Sequence, residues 1–211
     1  MKINNLEYIA IDGVIGVGKT TLTHMLVERF NGKAVLEIVE ENPFLADFYQ
    51  DPKRYAFQTQ MFFLLSRYRQ QQEIPQRELF QELIVADYIF AKDKIFAYLN
   101  LEDRELVLYE KIVTLLERDI SKPDLVIYLK STPERLMQNI QRRGRTFERN
   151  MSFSYIQSLN AVYNNFFNHY RETPLLIINT TEMDFVFDKN DFEKIVELIK
   201  SDIQGTYVHN F

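Results

Sequence analysis

Gly13-Val14-Ile15-Gly16-Val17-Gly18-Lys19-Thr20 decides the reading of this chain. A glycine, four residues, then Gly-Lys-Thr is the phosphate-binding loop pattern. The apolar run Tyr8-Ile9-Ala10-Ile11 and Asp12 precede it, and a helical pattern from Thr21 to Phe30 follows. That context separates a working loop from a chance glycine-rich turn. Gly13, Gly16 and Gly18 permit backbone angles that a side chain penalises. Backbone N–H groups of the loop, including those at Val17 and Thr21, can then turn inward around phosphate oxygens. The helix beginning near Gly18 adds its positive end. Lys19 can neutralise the outer phosphates, and Thr20 can offer its hydroxyl to Mg2+. The pattern implies a site for a nucleoside triphosphate with Mg2+.

Outward from the loop, apolar runs alternate with helical patterns. Strands are expected at about 7–12, 34–39, 83–86, 125–129 and 175–178. Helices are expected at about 18–30, 42–50, 52–73, 89–99, 102–120, 133–143, 152–170 and 190–203. Nearly all-apolar strands alternating with helices imply a parallel sheet covered on both faces. The expected fold is therefore α/β, a three-layer sandwich of the P-loop type. It would have five parallel strands and an arginine-rich lid, with residues 1–211 forming a single domain. No element is assigned to the tail from Gly205 to Phe211.

Bulk properties exclude several classes. A net charge of -5 and a pI near 5.4 argue against a dedicated nucleic-acid surface. With no cysteine there is neither a disulfide framework nor a Cys-based zinc site. His24, His169 and His209 form no metal-ligand spacing. No apolar run is long enough for a membrane span, and no signal-peptide core is visible at the N-terminus, so the expected location is cytoplasmic.

In parallel sheets ligands gather beyond the carboxyl ends of the strands. That rule selects Glu37, late in the second expected strand, and Asp87, which ends the third. An apolar strand followed by Asp, in a chain with a phosphate loop, is the arrangement of an acid near Mg2+. Read by itself, Glu37 serves equally as a solvated charge. Asp93, one to two turns into the next helix, reads by itself as a solvated charge or cap. Gln60 and Arg67 share a face of the long helix and could pair with a base edge, or simply face solvent. Phe96 alone reads as core. Arg142, Arg143 and Arg145 surround Gly144 at a helix end. They could be a nucleic-acid patch, a solvated end, or a lid carrying charge to a transferring phosphoryl group.

The ordered set of these segments resembles the deoxynucleoside kinase family across nearly the whole chain. The matching stretches are the loop, Glu37 through Leu45, Phe48-Tyr49, Phe57 through Gln60 to Ser66-Arg67, Asp87 through Phe96-Ala97, and Arg142 through Arg145 with Glu148. The Glu-Glu-Asn-Pro-Phe-Leu and Ala-Asp-Tyr stretches are most similar to the bacterial deoxyguanosine and deoxyadenosine kinases. The resemblance implies that Glu37 accepts the proton of the sugar 5'-hydroxyl. It implies that Tyr49 and Glu148 hold the 3'-hydroxyl, and that Gln60, Arg67 and Asp93 recognise the base while Phe96 stacks on it. Arg143 and Arg145 would act at the ATP phosphates, and a homodimer is expected. Two departures stand out. Tyr88 occupies the place where most of the family carries an arginine, leaving Lys92 or a lid arginine to reach the 5' end. Asn139 replaces a lid-helix arginine, a task Arg142 could assume. A monophosphate kinase or a non-catalytic ATP-binding regulator are the competing readings. The first needs an arginine for an acceptor phosphate, and the second needs no proton acceptor.

Overall fold

The computed structural model describes residues 6–74 and 83–210. The elements follow in the order β1 (Tyr8–Gly13), α1 (Lys19–Phe30), β2 (Lys33–Val35), α2 (Leu45–Gln50), α3 (Pro52–Glu73), β3 (Ile84–Ala86), α4 (Lys92–Asn100) and α5 (Asp103–Leu116). They continue with β4 (Leu125–Lys130), α6 (Pro133–Arg143), α7 (Phe153–His169), β5 (Leu175–Asn179), α8 (Lys189–Lys200) and β6 (Thr206–Asn210). All strand pairings are parallel, and the sheet order is β2-β3-β1-β4-β5-β6. Helices pack around the sheet, and β1, β3, β4 and β5 are buried in its main core. Ala10 pairs with Ala86, so β1 and β3 run out side by side. The phosphate loop and Asp87 therefore emerge next to each other at one edge.

The sheet has six strands, where the sequence reading expected five. The sixth, Thr206–Asn210, pairs along β5 from Leu175↔Thr206 to Asn179↔Asn210. Its residues are mostly exposed, so it lacks the apolar run that marks a buried strand. Phe211 lies outside the described residues.

Two other boundaries moved for reasons that bear on function. The second strand, expected to span 34–39, stops at Val35. The Asp87 N–H donates to Val35 O at 3.1 Å, and Asp87 Oδ1 then accepts the Glu37 N–H at 2.7 Å. A side-chain acceptor replaces the next ladder bond, and the chain peels away from the sheet. Glu37 thus stands beyond its strand. The helix expected to open at Asn42-Pro43 begins at Leu45. Asn42 is buried, accepts the Phe44 N–H at 3.0 Å and donates to Thr59 O at 3.2 Å. This Asx turn holds Pro43 outside the helix and ties the segment to α3. The helix expected over 102–120 stops at Leu116 and tightens into a 3-10 turn, Glu117–Asp119. On α3, Leu65 is exposed.

Candidate active site

The loop is built by close approach. At Gly13, φ is +154°, and an added Cβ would lie 2.5 Å from Leu129 O, so any side chain there collides with β4. Gly18 forms the N-cap of α1, with φ 104°. Lys19 Nζ donates to Gly13 O at 2.7 Å and to Val14 O at 3.3 Å. Burial, then nearby Lys92, pushes its ammonium down to about 8, against the pull of Asp12, Glu37 and Asp87. Asp12 is fully buried and accepts N–H bonds from Gly13 (2.7 Å) and Ile89 (3.2 Å), joining the loop to the segment after β3.

Asp87 connects the loop to Glu37. Its Oδ2 accepts from Thr20 Oγ1 at 2.5 Å, while Oδ1 accepts the Glu37 N–H. A hydroxyl and a carboxylate side by side at the loop edge are hard oxygen donors of the kind Mg2+ takes, with phosphates and waters supplying the remainder. Among the described residues no three His, Cys, Asp or Glu side chains gather into a cation cage. The donor set thus fits an ion that arrives with phosphate.

Next to Asp87 lies a cleft lined by Glu37, Tyr49, Gln60, Arg67, Lys92, Phe96, Arg143, Arg145 and Glu148. Its polar wall is one buried network. Arg67 Nε donates to Glu37 Oε1 at 2.9 Å and Nη2 donates to the same oxygen at 2.5 Å. Arg67 Nη1 donates to Asp93 Oδ1. Lys92 Nζ donates to Glu37 Oε2 at 2.8 Å. Gln60 Nε2 donates to both Asp93 O and Oδ2 at 2.8 Å, and the Tyr109 hydroxyl donates to Asp93 Oδ2 at 2.9 Å. Burial opposes charge on Glu37, yet Lys92 and then Arg67 outweigh it and hold the carboxyl far below the usual carboxylate range. Phe63, one helical turn before Arg67, lies under its guanidinium at 4.9 Å. The apolar wall includes Phe96, edge-on to Tyr163 at 6.0 Å, and Tyr49, stacked on Phe147 at 6.5 Å.

The arginine segment follows α6. Gly144 caps the helix at φ 69°, which turns the chain back toward the cleft. Glu148, 5% exposed, accepts from Arg143 Nε at 3.3 Å and also from Nη2. Arg145 approaches Glu40 at 3.7 Å and Glu148 at 3.9 Å. Arg143 and Arg145 also line a second cleft with Gly16, Val17, Gly18, Thr20, Thr21, Asn139, Arg142 and Phe185. Arg142 stands 6.0 Å from the Phe187 ring. Asn139 donates to Gly16 O at 2.9 Å and so braces the loop.

The candidate residues line these two adjoining clefts, except Gly13, which packs against Leu129 of β4, and Asp93, which is held behind Gln60 and Arg67. Asp93 sits at the second position of α4 because that helix starts later than expected. Sequence reasoning missed Tyr109, Phe63, Tyr163 and Asp12. Phe63 had a visible signal, its four-residue spacing from Arg67. Asp12 had one too, as the polar end of β1. Tyr109, on α5, had none.

A phosphate loop at a parallel-sheet edge, opening on a cleft with a buried carboxylate, defines a phosphotransferase. Residues 9–204 match the family model for deoxynucleoside kinases, and the chain belongs to that family. It is 38% identical to the deoxyguanosine kinase of Bacillus subtilis (strain 168) over 94% of this chain and 98% of that one. It is 37% identical to the deoxyadenosine kinase of Dictyostelium discoideum, covering 94% and 80% of the two chains. Among solved structures it is similar to a deoxyadenosine kinase from M. mycoides with bound dATP, at TM-score 0.80 and 26% identity, over 92% of this chain and 100% of that one. No helix among the described residues is long and apolar enough to cross a membrane.

Proposed function

We propose that this chain, acting as a single cytoplasmic kinase domain, transfers the γ-phosphate of ATP to the 5'-hydroxyl of a purine deoxynucleoside. The observation that carries the reading is Asp87, which joins Thr20 of the phosphate loop to Glu37 of the adjoining cleft. Donor and acceptor sites thereby share one carboxylate. Glu37 orients the 5'-hydroxyl and takes its proton. The transition state is loose, so positioning and charge carry most of the rate, and a strongly basic carboxylate is not required. Thr20 and Asp87 would hold Mg2+, which neutralises phosphate charge when bound. Lys19 turns from the loop carbonyls to the phosphates, and Arg143 and Arg145 close over them. Closure excludes the water that would otherwise hydrolyse ATP.

Tyr49 and Glu148 take the 3'-hydroxyl, and Phe96 stacks on the base. The two acceptors at Gln60 Nε2 fix its carboxamide, leaving Oε1 for a base donor such as the adenine amine. Arg67, held by Asp93, supplies donors to ring nitrogens or a carbonyl. The relatives, deoxyguanosine and deoxyadenosine kinases, point the same way. Deoxyadenosine leads, deoxyguanosine follows, deoxycytidine is a weaker substrate and thymidine the weakest. The test is ATP consumption with Mg2+ and each deoxynucleoside or its monophosphate. Activity with nucleosides supports the assignment. Activity confined to monophosphates, or none with any acceptor, overturns it.

We also propose a homodimer. Val107, Leu108 and Leu115 on α5 and Leu65 on α3 are large, apolar and exposed, Leu115 at 63%. Patches of this kind mark contact surfaces. Light scattering should give twice the chain mass, and Leu115→Glu should lower it toward one. A monomeric wild type removes the proposal.

A further inference from the structure

Lys92 opens α4, and its side chain is 3% exposed on the wall of the nucleoside cleft. An ammonium carries three donors. Glu37 Oε2 takes one at 2.8 Å, and no protein acceptor takes the other two among the described residues. Arg67, the other cation on Glu37, has every nitrogen engaged with Glu37 or Asp93. Lys92 shares the cleft wall with Lys19 and Thr20 of the phosphate loop and bears electrostatically on Asp12 and Lys19. Tyr88, beside Asp87, is fully buried and does not line the cleft.

We propose that Lys92 is a catalytic cation of the transfer step and the binding group for the 5'-phosphate of the product, an inference that rests on the deoxynucleoside reading of the cleft. In that step the 5'-oxygen bonds to the γ-phosphorus. The bond from that phosphorus to the bridging oxygen breaks, ADP leaves with the electron pair, and the hydroxyl proton passes to Glu37. The phosphoryl oxygens arrive beside a carboxylate that repels them. A cation with unspent donors at that carboxylate offsets the repulsion in the transition state and stays on the product phosphate. A merely structural counter-ion to Glu37 would influence nucleoside and product alike.

The test compares Lys92→Met and Lys92→Arg with wild type. It reads kcat, KM for deoxyadenosine and inhibition by deoxyadenosine monophosphate, with melting curves for each protein. Lys92→Met should lower kcat by about 100-fold, the scale of losing one oxyanion donor. It should weaken monophosphate inhibition by roughly 10-fold, the scale of one charge-assisted hydrogen bond. KM for deoxyadenosine should change far less, and Lys92→Arg should keep most of the rate. A folded Lys92→Met with wild-type kcat, or with equal losses of nucleoside and monophosphate affinity, overturns the proposal. If Lys92→Met does not fold, reductive methylation of wild type followed by peptide mass spectrometry decides. The monophosphate should then protect Lys92 more than the nucleoside does, and equal protection overturns the assignment. A wild type inert toward every nucleoside instead sinks the functional reading itself.

Discussion

Glu37 is a carboxylate clasped by two cations, which bears directly on how it works. Its charge is stabilised by Lys92 and Arg67, so in the proposed transfer it is a weak base whose value lies in placement. Glu37→Gln keeps the shape and loses the proposed proton acceptor. It should lower kcat by at least ~100-fold, the usual contribution of a positioned base. ATP affinity measured by calorimetry should stay unchanged. Turnover at the wild-type rate would remove Glu37 from the chemistry. Asp93 is the fully buried hub for Arg67, Gln60 and Tyr109. Asp93→Ala leaves a buried guanidinium short of a partner, at a cost of about 3–5 kcal/mol in stability. It should also reorder the relative kcat/KM of the four deoxynucleosides. A thermal melt and four steady-state assays check both, and an unchanged ranking would separate Asp93 from base choice.

The arginine segment and the edge strands show what sequence pattern conveys at the scale of elements. α3 and α6 lie where their periodicity places them, because Pro52 and Pro133 start them and Gly144 stops the second. Arg142 and Arg143 before Gly144 and Arg145 after it were visible as a cluster for the same reason. Less visible were the ends set by side chains from elsewhere. Asp87 cuts β2 short, Asn42 delays α2, and β6 forms on the pairing edge of β5 without an apolar run. These are long-range or exposed interactions, and local periodicity carries no record of them. Within the site, residues on motifs could be found, whereas Tyr109 reaches Asp93 from another helix. Gly144 offers the cleanest test at this scale. An added Cβ there meets only Gln141 O at 3.9 Å, so Gly144→Ala adds backbone strain without a clash. The left-handed conformation costs an alanine about 1–2 kcal/mol. KM for ATP should rise several-fold while the melting temperature moves by a few degrees. An unaltered KM would mean that the cap does not set the lid.

Across the whole molecule, buried ion pairs gather where two clefts meet. Glu37, Arg67, Lys92 and Asp93 balance two against two inside the protein, which allows a polar wall to remain buried. Arg143 and Arg145 border both clefts, so occupancy of one bears on the other. Asp87 makes the coupling tighter still, because a single carboxylate touches Thr20 on one side and Glu37 on the other. Substitutions at Thr20, Asp87 and Glu37 are therefore not independent readouts. In double-mutant cycles their penalties should combine less than additively. Lengthening Asp87 to glutamate would shift the oxygen at Thr20 and the Glu37 backbone together. One methylene would thus disturb the phosphate loop and the adjoining cleft at once, so an evolving sequence cannot adjust one of them here without retuning the other.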